Sequence, residues 1–240
     1  KPLFEQMCVR CHSDGGIRSE TPLTSYDEVA PIAMLIKDYV SNRIMPPWHA
    51  DGECRDYVHD ESLSEEEIAW VAEWADAQAP EGDETMEPAD IAQREFTTLS
   101  REDLVIEMEE PYVPGYSPDD YRCFVMDWPL DQTRYITGYG AKPGNKRVVH
   151  HVISYIAPPN MADMVDGWDA DEEGPGYTCY GGPSPSGGGG GGAGLAGLQF
   201  VGGWAPGSVG SDFAPGTGMP VEPGSRVIMQ VHYNTLTTGA

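Results

Sequence analysis

Two cysteines and a histidine near the start of the chain have the types and spacing for haem chemistry. Cys8 and Cys11 are three positions apart, and His12 follows directly. Two thiols at this C-x-x-C-H spacing add to the two vinyl groups of one haem, and the next residue places an imidazole on the iron. The motif therefore predicts a covalently attached haem c.

Two other interpretations of the same cysteines remain. They could be half of a zinc site, for which Cys54 with His49 or His59 would supply the rest, or they could form a redox dithiol. A short helix is predicted to end at the motif, and this helical context favours haem.

The second axial ligand of the iron is predicted in the segment 43–49, which reads RIMPPWH. Met45 follows a predicted helix and lies in a proline-stiffened loop. A thioether ligand raises the haem potential and is the common arrangement in electron carriers. Met45 is therefore favoured, although it would suit core packing as well, and His49 or His59 could take its place.

Three histidines in the second half of the chain are candidates for another metal. His150 and His151 lie in one predicted strand and His232 lies in another. Three imidazoles suit copper or zinc, and donor softness does not choose between them. Adjacent residues of a regular strand point to opposite faces, so the pair shares an ion only if the strand bends there or different ring nitrogens bind. Otherwise one histidine is buried and one is exposed.

The composition restricts the possible partners. Fourteen Lys and Arg against 39 Asp and Glu give a formal charge of −25, which would repel nucleic acid and anionic membranes. No apolar run is long enough to span a bilayer. No signal peptide is visible, and we expect one to have been removed, because this haem motif is loaded outside the bacterial cytoplasm. A periplasmic or secreted protein is predicted.

The pattern of the chain predicts three parts. Residues 1–82 are helical, with capping boxes at 25–28 and 64–67, and the acidic residues 83–100 form a linker. Residues 101–240 contain runs of β-branched and aromatic residues separated by turn residues, which predict an antiparallel sandwich. The run Gly187 to Gly192 predicts a surface loop. The predicted strands are 104–106, 124–126, 135–137, 148–156 and 227–233.

Two families are similar to these parts. The haem motif, the Met-Pro loop and the closing helix that starts at 63–68 make residues 8–80 resemble a small class I cytochrome c. The ordered motifs of residues 101–235 resemble the first domain of copper type II, ascorbate-dependent monooxygenases, the family of peptidylglycine α-hydroxylating and dopamine β-monooxygenases. Those motifs are YRCF at 121–124, GNKRVVHH at 144–151, GYTCYGG at 176–182, GGWAPG at 202–207 and QVHY at 230–233.

The second resemblance implies roles for particular residues. It implies that His150, His151 and His232 bind one copper that stores and delivers an electron. It also implies a disulfide between Cys123 and Cys179, which leaves Cys54 either unpaired or bonded to a group that is absent here. The fold class expected from both resemblances is an all-α cytochrome c domain followed by an all-β, jelly-roll-like antiparallel sandwich that is incomplete at its C-terminal end.

One departure from the second family limits the predicted activity. That family uses a second copper, held by two His and a Met in a following domain, and no histidine of this chain remains for it. The expected function is a haem- and copper-containing oxidoreductase component, in which the haem relays electrons to the three-His copper site of a copper monooxygenase. A donor protein or ascorbate is the expected source of the electrons. The second copper would lie on a missing domain or a partner chain. The alternatives are a plain c-type carrier fused to a non-catalytic β module, and a zinc or copper carrier.

Overall fold

The computed structural model describes residues 1–14, 16, 18–48, 50, 57, 60–83, 99–185, 197–206, 208 and 210–236. Most of the predicted linker, the glycine run, His49, Cys54 and His59 lie outside the described residues. The chain divides into two compact units, residues 1–96 and 97–240. None of the described helices is both long and apolar enough to cross a membrane.

The first unit contains short helices. They are α1 (Pro2–Met7), α2 (Tyr26–Val29), a 3-10 turn (Ala30–Ile32), α3 (Ala33–Ser41) and α4 (Glu65–Asp76). Both predicted capping boxes are confirmed, at the N-termini of α2 and α4. Pro31 has no N–H to donate, and the helical stretch is divided around it into three pieces.

A small apolar core holds these helices together. Leu3 and Met7 of α1 are buried with Val40 of α3 and Val71 of α4, and the partly buried Cys8 packs against them. The Lys37 ammonium also lies 2.7 Å from the Asp76 carboxylate, which joins α3 to α4. The haem motif is thereby anchored to the core of its own unit at Cys8.

The second unit is built on antiparallel strands. They are β1 (Asp119–Asp127), β2 (Arg134–Ile136), β3 (Gly138–Tyr139), β4 (Val149–Ala157), β5 (Tyr177–Thr178), β6 (Gln199–Trp204), β7 (Ser211–Asp212), β8 (Met219–Val221) and β9 (Arg226–Asn234). The main sheet has the order β5-β1-β9-β4-β6, while β2 pairs with β8 and β3 with β7. The helix α5 (Ala162–Ala170) follows β4.

The two faces of the main sheet have different roles. Strand residues alternate between faces, so Ile228, Gln230 and His232 of β9 share one face. At the Ile228 end, that face packs against Val165 of α5 in a fully buried cluster. At the other end it carries His232. The opposite face carries Val227, which packs with β6 and β8 in another apolar cluster.

The expected fold class is wrong. The chain is mostly β and only 23% helical, and the described residues form no all-α cytochrome domain. The first unit's helices are too short for one, because α1 ends at Met7 and the next helical stretch is divided at Pro31. The second unit is not all-β either, since it includes α5. A large antiparallel sheet is present as expected.

Candidate functional site

A bulge in β4 brings the adjacent histidines to one side of the main sheet. Val149 pairs with Tyr233, and the next regular pair is His151 with His232. Two residues of β4 therefore advance against one residue of β9, which makes His150 the surplus residue of a β-bulge. His150 and His151 can share an ion if the strand is bent at their position, and the bulge supplies that bend.

The three imidazoles form a compact cluster. Nδ1 of His150 lies 3.2 Å from Nδ1 of His151, and the ring of His232 is 4.6 Å and 4.9 Å from those two rings, centroid to centroid. One nitrogen from each ring lies within 4.8 Å of the other two. Two nitrogens bound to one ion at about 2 Å lie roughly 3 to 4 Å apart. The two nitrogens of the histidine pair meet that requirement at 3.2 Å, and a nitrogen of the third ring lies within 4.8 Å of the pair.

His232 has one engaged and one unengaged nitrogen. Its Nε2 lies 2.8 Å from Oδ1 of Asp119. Its Nδ1 is buried and has no hydrogen-bond partner in the described part of the chain. A buried polar atom without a partner destabilises a protein unless something binds it. An ion at the cluster would be such a partner, so the residues present fit a metal.

Burial and the two neighbouring histidines favour the neutral form of His151. Burial lowers the pKa of His151, and the neighbouring His232 and His150 lower it further. His151 is therefore neutral at physiological pH, and neutral imidazole is the form that binds metals. His150 is exposed, which leaves one side of the cluster open to solvent.

Two tyrosines form a wall beside the cluster. Tyr121 of β1 lies against His232, and Tyr180 packs edge-on against Tyr121 with ring centroids 4.8 Å apart. Burial raises the pKa of Tyr121, and the nearby Asp119 and Tyr180 raise it further. The tyrosine therefore stays neutral in the physiological range.

A disulfide and hydrogen bonds hold the segment that carries Tyr180 against the main sheet. Cys123 and Cys179 form the disulfide that the resemblance implied, and both residues are fully buried. The amide of Cys179 also donates to the carbonyl of Tyr121 at 3.2 Å. The buried Gln230 donates to the Gly182 carbonyl at 2.7 Å. These contacts hold Tyr180 against Tyr121.

The haem motif forms a tight turn after α1. The amides of Cys11 and His12 both donate to the Cys8 carbonyl, at 3.1 Å and 2.9 Å. Nδ1 of His12 lies 2.7 Å from the Thr21 carbonyl, so the ring donates there and its Nε2 lone pair is available for iron. A side chain on Gly16 would come within 2.3 Å of the Cys11 carbonyl oxygen, so the loop closes only over glycine.

Three further side chains of the first unit bear on haem binding, those of Cys8, Met45 and Trp48. Burial, reinforced by the neighbouring Cys11, raises the pKa of the Cys8 thiol to about 12. Met45 is half-buried in the loop after α3, where its amide donates to the Tyr39 carbonyl at 3.2 Å. Nε1 of Trp48 is buried without a partner in the described residues. A haem propionate is the kind of acceptor that this N–H lacks, so these residues fit the group.

Sequence reasoning missed the residues that orient the histidines. Asp119 and Tyr121 meet His232 only through the pairing of β1 with β9, and no local motif announces that pairing. Thr21 acts through its backbone carbonyl, which carries no side-chain signature. The YRCF motif at 121–124 was the one available signal for Tyr121.

Comparison with protein-family models gives no match, and comparison with curated proteins gives no significant match. Within the described residues, His150, His151 and His232 are the one group of three or more His, Cys, Asp or Glu side chains placed to hold a metal ion.

Proposed function

We propose that this protein is a haem- and copper-containing oxidoreductase component of a copper-dependent monooxygenase. Cys8, Cys11 and His12 would hold a haem c, and the three clustered histidines would hold one copper. The observation that carries the proposal is the bulge at Val149/His151, which gathers His150, His151 and His232 on one face.

When bound, each group would supply one-electron redox chemistry, since haem iron and copper both change oxidation state by one electron. The chain's own residues would set how that happens. His150, His151 and His232 would supply three imidazole nitrogen donors, a set that accepts zinc as well as copper. The resemblance of residues 101–235 to copper monooxygenases favours copper. The exposed edge at His150 gives a donor protein or ascorbate access to the cluster.

Five groups of the first unit would hold the haem. The two sulfurs would carry the covalent bonds, and His12 would bind iron through the nitrogen that its bond to Thr21 leaves available. Met45 is the proposed second axial ligand. The unpartnered N–H of Trp48 would donate to a haem propionate. This proposal concerns the attachment of the group and does not require a cytochrome fold.

The proposal also includes the compartment of the protein and a second copper site. Structural disulfides persist in oxidising compartments, so the Cys123–Cys179 bond supports a periplasmic or secreted protein. Hydroxylation of a C–H bond would need a second copper, which we place on a following domain or a partner chain. The substrate would bind there.

The test is metal and electron analysis of the full chain expressed with haem maturation machinery. We expect one haem and one copper per chain, and a Cu(II) resonance that disappears after the haem is reduced in a stopped-flow experiment. Two variants serve as mutual controls. C8A/C11A should lose haem and keep copper, while H150A/H151A should lose copper and keep haem.

Three outcomes would contradict the proposal in different ways. Haem without copper at saturating metal would leave a c-type carrier joined to a non-catalytic β module. Zinc bound in preference to copper, silent in electron paramagnetic resonance, would identify a metal carrier. If both metals bind but no electron passes from haem to copper, the proposed relay of electrons is wrong.

A further inference from the structure

We infer that Asp119 is a positioning residue that fixes the tautomer of His232, so that the buried Nδ1 of this histidine is the metal ligand. The inference rests on the proposed metal site and adds a residue that no motif assigns. It predicts which nitrogen binds, and it predicts that the choice is made before any metal arrives.

The hydrogen bond between Asp119 and His232 has a fixed direction. Oδ1 of Asp119 lies 2.8 Å from Nε2 of His232. An ionised carboxylate only accepts hydrogen bonds. The nitrogen that faces it must therefore carry the hydrogen. In a neutral imidazole the other nitrogen then has a free lone pair, and here that nitrogen is Nδ1.

The carboxylate of Asp119 is itself held in place. Nδ2 of Asn234 donates to the same oxygen of Asp119 at 2.9 Å. Asp119 and Asn234 are paired across β1 and β9, and His232 lies two positions before Asn234 in β9. Diagonal neighbours of this kind share a face of the sheet, within reach of long side chains. The register of the two strands therefore aims the carboxylate at the outer nitrogen of His232.

Nδ1 of His232 lies in a buried environment. His232 is only 6% exposed, and its Nδ1 has no partner in the described residues. Water cannot reach it freely, and the other two histidines already face each other through their own Nδ1 atoms. A carboxylate that orients a metal-binding histidine also raises the basicity of the ligand, and its loss typically lowers metal affinity about 10- to 100-fold.

The deciding measurement is the tautomer of His232 in the full chain freed of copper, with the haem reduced. Long-range ¹H–¹⁵N NMR of histidine-labelled protein distinguishes Nε2–H from Nδ1–H, and the signal is assigned by its absence in H232Q. We expect Nε2–H in the wild type and in N234A, which keeps the carboxylate. We expect a mixture of tautomers in D119A.

A copper competition titration gives the second readout. D119A should bind copper about 10- to 100-fold more weakly, whereas D131A, which removes an exposed carboxylate from the loop after β1, should bind as the wild type does. An Nδ1–H tautomer in the wild type, or D119A with unchanged tautomer and affinity, would overturn the inference. A wild type with the Nε2–H tautomer but no affinity for copper would overturn the proposed function and leave the tautomer assignment standing.

Discussion

Tyr121 stacks face to face on His232, with ring centroids 4.1 Å apart and ring planes inclined by 4°. The two residues are directly opposite each other on β1 and β9. The stack holds the imidazole from the side, while Asp119 holds it at one nitrogen. The orientation of His232 is therefore set by its neighbours on β1 before an ion binds.

Replacing the tyrosine ring tests this support. An aromatic pair contributes about 0.5–1.5 kcal/mol beyond its burial, so Y121A should weaken copper binding roughly 2- to 10-fold. Y121F keeps the ring and should bind like the wild type. Competition titration against a copper chelator measures both. Equal losses in the two variants would assign the effect to the hydroxyl and not to the stack.

The disulfide should stabilise the second unit substantially. Cys123 and Cys179 are 56 residues apart, and the chain-entropy model gives about 4 kcal/mol for closing a loop of that length. C123A/C179A should lower the free energy of unfolding of residues 97–240 by about 2–4 kcal/mol. Hydrogen-exchange mass spectrometry resolves this by segment. Unchanged protection of β1 and β9 would contradict the prediction, and residues 1–40 provide the internal control.

Acid should destabilise the second unit through Glu172. Burial raises the pKa of this carboxyl, but hydrogen bonds from Thr178 and Arg122 outweigh it, and the net pKa lies below the ordinary value of 4.5. A lowered pKa in the folded state means stability that is present above pH 4.5 and lost as the pH falls through the folded value. E172Q should therefore lose less free energy of unfolding than the wild type when the pH is lowered.

The matched control for that titration is the neighbouring residue Glu173, which is exposed. E173Q should keep the wild-type acid dependence in urea denaturation followed between pH 3 and 6, a range set to bracket the expected transition. If E172Q and the wild type lose stability in parallel on acidification, another carboxyl carries the effect.

The cap of α4 should contribute measurably to the first unit. The hydroxyl of Ser64 accepts from the Glu67 amide at 3.2 Å, and the Glu67 carboxylate accepts from the Ser64 amide at 2.8 Å. Removing such a cap costs about 0.5–2 kcal/mol. S64A should lower the stability of the unit by this amount in a denaturant titration, while S64T keeps the hydroxyl and most of the stability.

Haem loading should depend on Gly16. A methyl group there would overlap the Cys11 carbonyl, and overpacking of this kind costs about 1–3 kcal/mol. G16A should reduce the haem content, measured by the pyridine haemochrome assay. At Gly144 an added Cβ would meet no atom within 4 Å, so G144A should load normally. Equal haem content in the two variants would show that the loop can adjust.

The sequence predicted the strands better than the site. Runs around Phe124, Tyr135, Val152 and Val231 lie in β1, β2, β4 and β9, because β-branched and aromatic residues fit a packed sheet. Leu104 to Ile106 has the same composition but forms no strand. The strand Gln199–Trp204 was missed, since two of its six residues are glycines.

The site could be predicted only as a set of residue types. Periodicity placed His150 and His151 on opposite faces, and nothing local to the pair indicates a bulge. The bulge depends on how β4 pairs with β9, whose residues lie about eighty positions away in the sequence. The contacts of Asp119 and Tyr121 depend on a second long-range pairing. Long-range register is the information that a single sequence does not display.

The surplus residue in β4 has a consequence for how such a metal cluster is gained or lost. Deleting Val149 would keep both imidazoles of the pair. The strand would then return to regular alternation, with one ring on each side of the sheet. Capacity for an ion here is thus a property of strand length as much as of residue identity. Relatives that preserve all three histidines but differ by a single insertion or deletion at this point would have lost the cluster.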